Sequence, residues 1–245
     1  MSAEDAFDPQ PWGAPTATEQ AWAAAVAAAA AQPGAARFDP SADALAARRL
    51  LSLAGEGAPR AVLLETWRML EGARLARDAG LRLALQGAGT AAAARFRFGP
   101  APPRARLSTP EEALALARTP GVVALVDAGA SPWWARLLAQ PELRVVARLP
   151  DDGPRAGEGR ILAVARAAPE PTGADETYWV TDAPGSSAAL EARLSACGLA
   201  ASPVAEAGGL KLMALAGYLQ PHDERLVRAP GRLAGVIGAA PLPFL

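Results

Sequence analysis

Val62–Thr90 reads VLLETWRMLEGARLARDAGLRLALQGAGT, and the period of its apolar residues changes once along it. Leu63, Trp67 and Leu70 stand at i, i+4 and i+7, the stripe of an amphipathic helix with one buried face. Ala79-Gly80 supplies the stop, because glycine accepts the left-handed conformation that closes a helix. From Leu81 the period is two, with Leu81, Leu83 and Leu85 on one face of a strand, and Gly87-Ala88-Gly89-Thr90 turns the chain. Within this stretch a helical segment gives way to one that mixes strand and helix.

Toward the N-terminus the pattern is wholly helical. Residues 1–15, with Pro9, Pro11 and Pro15, predict a flexible tail. Thr16 and Glu19 have the spacing of a capping box, opening a helix that runs through an Ala-rich segment to Gln32 and stops at Pro33-Gly34. Trp22 and Val26 carry its packing, since alanine buries little area. Asp39-Pro40-Ser41 starts a second helix over Ala42–Leu53, and Pro59 opens a third over Arg60–Ala79.

Toward the C-terminus, strands Leu81–Gln86, Val122–Val126, Leu143–Leu149 and Ile161–Ala167 alternate with helical segments. A helix or turn is expected near Ala91–Ala94. A helix begins at Ser108-Thr109-Pro110-Glu111-Glu112, where a hydroxyl, a proline and two carboxylates suit the positive end of the dipole. Trp133–Ala139 is a further helix, with one indole expected to pack and the other to sit at an interface. After the linker Ala167–Asp175 the order is strand Thr177–Thr181, helix Ser186–Ala196, strands Leu199–Ala205 and Leu210–Leu219, a short helix Asp223–Val227 and strand Leu233–Ile237. That is βαββαβ, the ferredoxin-like order. The expected class is α+β: an all-helical unit over 16–80, an α/β segment over 81–168 and a ferredoxin-like unit over 172–245.

The composition narrows the function. Net charge is −1, from 24 basic and 25 acidic residues, so no global field favours nucleic acid or a membrane surface. Of the basic residues only Lys211 is lysine. The single Cys197 excludes an internal disulfide, and the single His222, expected on a surface loop, excludes a multi-histidine metal site. No apolar run approaches the ~18–20 residues a membrane span needs. The acidic, proline-rich start is unlike a signal peptide, so a cytoplasmic protein is expected.

Several stretches together resemble a group of bacterial proteins in which a helical chorismate mutase segment precedes a prephenate dehydratase-like segment. Asp39-Pro40-Ser41-Ala42-Asp43-Ala44 looks like the mutase second-helix motif, and Trp67-Arg68 like the Trp-Arg of its third helix. Gly87-Ala88-Gly89-Thr90 resembles the Gly-Thr turn near the start of dehydratases, and Glu111–Val126 their helix-to-strand segment. Asp182-Ala183-Pro184-Gly185 looks like the turn of ACT-type amino-acid-binding modules. The resemblance implies isomerisation of chorismate to prephenate, a reaction that needs cations clamping two carboxylates and no cofactor or metal.

The motif positions are largely substituted. No basic residue precedes Arg37, the second-helix Arg-Glu pair aligns with Ala42-Asp43, and the third-helix Ser and Gln align with Arg74 and Asp78. The dehydratase Thr-Arg-Phe has no counterpart, since Arg95-Phe96 follows Ala94. If mutase chemistry persists, the resemblance points to a rearranged set of Asp43, Arg48, Arg49, Arg74 and Asp78. The alternative is an inactive relative that binds a small anionic or aromatic metabolite, with Gly89 and Thr90 at one turn and Asp182, Gly185 and Ser186 at another. A bland reading of Arg74 and Asp78 is a solvated i,i+4 pair. Gly87–Ala92 also fits a dinucleotide fingerprint, but no strand ending in an acidic residue follows about 20 residues later. Mutase helical units commonly dimerise, so a homodimer through the helices is expected.

Overall fold

The computed structural model describes residues 15–30, 38–55, 57–129, 131–151 and 160–244. Three helices come first: α1 (Ala17–Ala30), α2 (Pro40–Ala54) and α3 (Arg60–Asp78). Thr16 and Glu19 form the expected reciprocal cap: the Thr16 N–H donates to Glu19 Oε2 at 2.7 Å, and the Glu19 N–H to Thr16 Oγ1 at 3.2 Å. Asp39 caps α2 by accepting from the Ser41 and Ala42 N–H groups. Ala25, Val26, Ala47, Leu50, Leu63, Leu64 and Trp67 make the core among these helices. The buried face of α3 differs from the expected stripe. Leu63 and Trp67 are buried as expected, but the face continues through Leu64, Arg68, Gly72 and Leu75, whereas Leu70 is 48% exposed. Gly72 sets this rotation, because a Cβ there would collide with the Phe98 carbonyl of the next helix.

The strands are β1 (Arg82–Gln86), β2 (Arg104–Arg106), β3 (Val122–Asp127), β4 (Arg144–Leu149), β5 (Ile161–Ala165), β6 (Asp175–Thr181), β7 (Ala201–Ala207), β8 (Leu210–Ala216) and β9 (Ala234–Pro241). Helices α4 (Thr90–Phe98), α5 (Pro110–Ala117), α6 (Ser187–Ala196) and α7 (Glu224–Val227), with a 3-10 segment at Trp133–Ala139, complete eight helices among the described residues. All nine strands join one mixed sheet in the order β2-β1-β3-β5-β4-β9-β6-β8-β7. β1 is parallel to β2 and β3, β4 is parallel to β9, and the remaining neighbours are antiparallel.

This overturns the expected α+β arrangement of an independent helical unit and an independent ferredoxin-like unit. The C-terminal strands are half of a larger sheet, because β9 pairs with β6 on one edge and with β4 on the other. Element order cannot show whether a strand's second edge is occupied. Gly238 makes the joint: it faces Val145 of β4, and a Cβ at 238 would fall on the Val145 backbone. The helices form where expected but do not stand alone. Ser41 Oγ donates to the Glu170 carbonyl at 2.8 Å, and Arg48 donates to the Thr172 and Ala174 carbonyls at 2.9 and 2.7 Å.

Both faces of the sheet are covered, and alternation along each strand sorts side chains between them. Ala84, Val122, Ala124, Val126, Tyr178, Val180 and Leu212 face α5 and the 3-10 segment. Leu83, Leu85, Val123, Leu125 and Ala163 face α4, with Phe38 and Leu75 from the helical layer. Trp179, Met213 and Leu215 pack against Leu190 and Leu194 of α6. Trp133 and Trp134 are both fully buried, so neither lies at an interface; their indole N–H groups donate to the Asp127 and Ala128 carbonyls at 2.8 and 3.2 Å. The tail expected over residues 1–15 lies outside the described residues, apart from Pro15.

Candidate functional site

The expected mutase-type residues do not share a cavity. Arg48 is engaged with Thr172 and Ala174. Arg49 is exposed on α2. Arg74 pairs with Glu71 at 2.6 Å on its own helix, and Asp78 pairs with its neighbour Arg77 at 2.6 Å, so the i,i+4 pair does not form. Asp43 borders one small cavity and Arg48 a different one, and neither cavity is lined by another of the five.

Asp43 belongs instead to a buried cluster with Arg68, Arg97 and Asp151. Asp43 pairs with Arg97. Arg97 Nε lies 3.0 Å from Asp151 Oδ2, and Arg68 Nη2 lies 2.8 Å from the same oxygen. The sequence places these groups on α2, α3, the last turn of α4 and the segment two residues past the end of β4, so the two carboxylates and two guanidiniums bolt the helical layer to the sheet. Burial pushes the Asp43 carboxyl up, against the pull of Arg97. Burial lowers the Arg68 pKa despite Asp151. Burial also works against Arg97, but Asp43 and Asp151 together outweigh it and hold that pKa above its ordinary value. The four charges cancel, and the space they enclose with Gly72 and Leu75 is too tight for a ligand. The cluster is a fastening.

Arg68 was accessible to sequence reasoning only through the Trp67-Arg68 pair. The further signal was Gly72, four residues on, which marks a face that another backbone approaches. Arg97 and Asp151 carried no comparable mark, because their partners lie far away in sequence.

A second place gathers polar groups outside the C-terminal ends of β1 and β3. The chain leaves β1 for β2 on one side through α4, then returns past β1 to β3 through α5, with α4 and α5 on opposite faces. Such a reversal of strand order opens a crevice at the carboxyl ends of the strands. Gly87 (φ +96°) and Gly89 (φ +75°) form its first wall. A Cβ at 87 would press on the Asp127 Cβ at 2.7 Å, so only glycine lets the β1–α4 turn lie against β3. Thr90 is buried, and its hydroxyl donates to the Gly87 carbonyl at 2.9 Å, fixing the turn. On the second wall, Asp127 Oδ1 accepts from the Gly129 N–H at 2.8 Å. The Arg160 guanidinium rests against Gly129 in the space a side chain would fill, and the Arg160 carbonyl accepts from the Ala128 N–H at 2.7 Å. The glycine turn that opens α4 thus lies against Asp127, and the exposed Arg160 lies against Gly129 just beyond the same strand. The dinucleotide pattern lacks its acid here too, since β2 ends in Arg104-Ala105-Arg106.

The third expected set, Asp182, Gly185 and Ser186, is occupied internally. Asp182 Oδ1 accepts from the Arg232 and Leu233 N–H groups at 2.7 and 3.1 Å, and the Ser186 hydroxyl accepts from the Ala189 N–H at 3.2 Å as the cap of α6. Gly185 lies exposed between them with φ +96°. Among the described residues no group of three His, Cys, Asp or Glu side chains is placed to hold a metal ion, and no helix is long and apolar enough to cross a membrane. Comparison with known protein families, curated proteins and solved structures finds no match to this chain.

Proposed function

We propose that this chain is a non-catalytic relative of the mutase–dehydratase proteins that binds a small carboxylate metabolite in the crevice beside β1 and β3. The observation that carries the reading is that the Gly87–Thr90 turn lies against Asp127 where strand order reverses, while the Arg160 guanidinium covers Gly129 two residues further on. A carboxylate there meets backbone N–H groups on one side and a cation on the other. The dispersal of Arg48, Arg49 and Arg74 argues against a rearranged mutase pocket, since clamping two carboxylates needs convergent cations. The ligand class is taken from the sequence resemblance: prephenate or an aromatic amino acid, met in the cytoplasm. Exposed Leu45, Leu53, Val62, Met69 and Leu70 on α2 and α3 support a homodimer through the helices.

Thermal shift and calorimetry with chorismate, prephenate and phenylalanine test the reading. Stabilisation by at least one of them, lost in Arg160→Ala and without chorismate consumption, is the expected result. No response to any, or binding indifferent to Arg160, refutes the site. Chorismate turnover abolished by Arg48→Ala or Arg74→Ala would restore the mutase reading instead.

A further inference from the structure

Beyond β9 the chain runs back across the helical layer. The Leu242 N–H donates to the Ala174 carbonyl at 2.9 Å, and the Phe244 N–H to the Asp151 carbonyl at 3.1 Å. This seats the Phe244 ring against the core of α1, α2 and α3. The ring centroid is 5.8 Å from the Arg48 guanidinium carbon and 5.8 Å from that of Arg68. Arg60 Nη2 donates to the Phe244 carbonyl at 3.3 Å. Beside the ring a cleft of about 600 Å3, open to solvent, is lined by Arg48, Leu51, Ser52, Arg60 and Pro243.

Two features set this place apart from ordinary packing. Arg68 is 1% exposed, yet its Nε and Nη1 have no hydrogen-bond partner among the described residues. Unmet buried donors are costly, and a guanidinium leaves few unmet. The second feature is charge. The charge of Arg68 is balanced within its cluster with Arg97, Asp43 and Asp151, but among the described residues neither Arg48 nor Arg60, which line the cleft, forms a salt bridge. The cleft therefore has an excess of cations around a phenyl ring.

We infer that Phe244 is the internal occupant of a binding site for an aryl carboxylate. The incoming ligand displaces the 242–244 segment, its ring takes the place of the phenyl between Arg48 and Arg68, and its carboxylate takes the donors of Arg60 and Arg68. The ring is specified by the space and the guanidinium faces. The carboxylate is specified by the unmet donors and the uncompensated charge. The site lies in the helical layer and is independent of the crevice beside β1.

The test uses the full chain and three probes: 3-phenylpropionate, its neutral analogue 3-phenylpropan-1-ol, and propionate. By calorimetry 3-phenylpropionate should bind the wild type and bind Phe244→Ala about tenfold more tightly, because the competing ring is gone. Arg60→Gln, an exposed position, should weaken the carboxylate about tenfold and leave folding unchanged. Arg160→Ala should have no effect, which separates this site from the crevice. The alcohol and propionate should bind neither protein. Fluorine-labelled phenylalanine at 244 provides a readout that needs no substitution at Phe244: its resonance should move to that of a solvated ring as 3-phenylpropionate is added. Equal affinity of wild type and Phe244→Ala, binding of the alcohol as tight as that of the acid, or an unmoved fluorine resonance at saturating acid would each overturn the inference.

Discussion

Arg97→Met is the sharpest probe of the fastening between helices and sheet. It removes the only ion-pair partner of Asp43 among the described residues and one of two partners of Asp151, while the unbranched methionine fills much of the same volume. Stranding a buried charge costs about 3–5 kcal/mol. Asp151 keeps Arg68 at 2.8 Å, so the uncompensated charge falls on Asp43 and the lower end, about 3 kcal/mol, is expected. For a chain of this length that lowers the melting temperature by roughly 6–12 °C. Urea unfolding should show a lower midpoint at unchanged slope. Adding Asp43→Asn to Arg97→Met should recover most of the loss, since the stranded charge is then gone. The pH dependence gives an internal check. Burial raises the Asp43 pKa in the folded state, so the folded protein binds that proton more tightly than the unfolded chain. Stability from this group is therefore present at low pH and fades as pH rises through a window above the ordinary carboxylate range. Arg97→Met widens the window and Asp43→Asn abolishes it. An Arg97→Met loss under about 1 kcal/mol at neutral pH would mean a solvated pair and would refute the fastening.

Gly238→Ala should cost roughly 2–6 kcal/mol, from a glycine-favouring backbone and a clash with the Val145 main chain. Hydrogen exchange should place the loss in β4 and β9, and a protection pattern unchanged there would contradict the single sheet. At Asp223 the Arg225 side chain, with the Arg225 backbone N–H, holds the carboxyl down to about 2. Its contribution to stability is present above the unfolded value and is lost as pH falls toward 2. Arg225→Met should raise the Asp223 midpoint in an NMR titration part of the way toward about 3.9, because the backbone N–H of residue 225 still donates, and an unchanged midpoint would assign the shift elsewhere.

The sequence by itself determined the elements whose cause is local. The capping residues Thr16, Asp39, Thr109 and Ser186 each fix a helix start through hydrogen bonds spanning two or three residues. The period-two run at Leu81–Gln86 and the continuous apolar run at Val122–Val126 became strands for the same reason, since each pattern is a property of one segment. The Gly87–Thr90 turn was legible because positive φ at 87 and 89 singles out glycine.

Tertiary structure alone decided what depends on segments far apart in sequence. The three-residue strand β2, with its exposed Arg-Ala-Arg pattern, has no periodicity of its own and exists because β1 offers it an edge. The fusion of the C-terminal strands into a nine-stranded sheet rests on one close approach, Gly238 to Val145, across more than ninety residues. The fate of the arginines is the same kind of fact. Arg48, Arg68 and Arg74 have one side-chain chemistry, yet they become a loop clamp, a buried fastening and a helix-surface pair. A guanidinium's role is set by the carboxylate, carbonyl or ring brought beside it, and folding selects those partners through backbone packing that the neighbouring residues of the arginine do not encode.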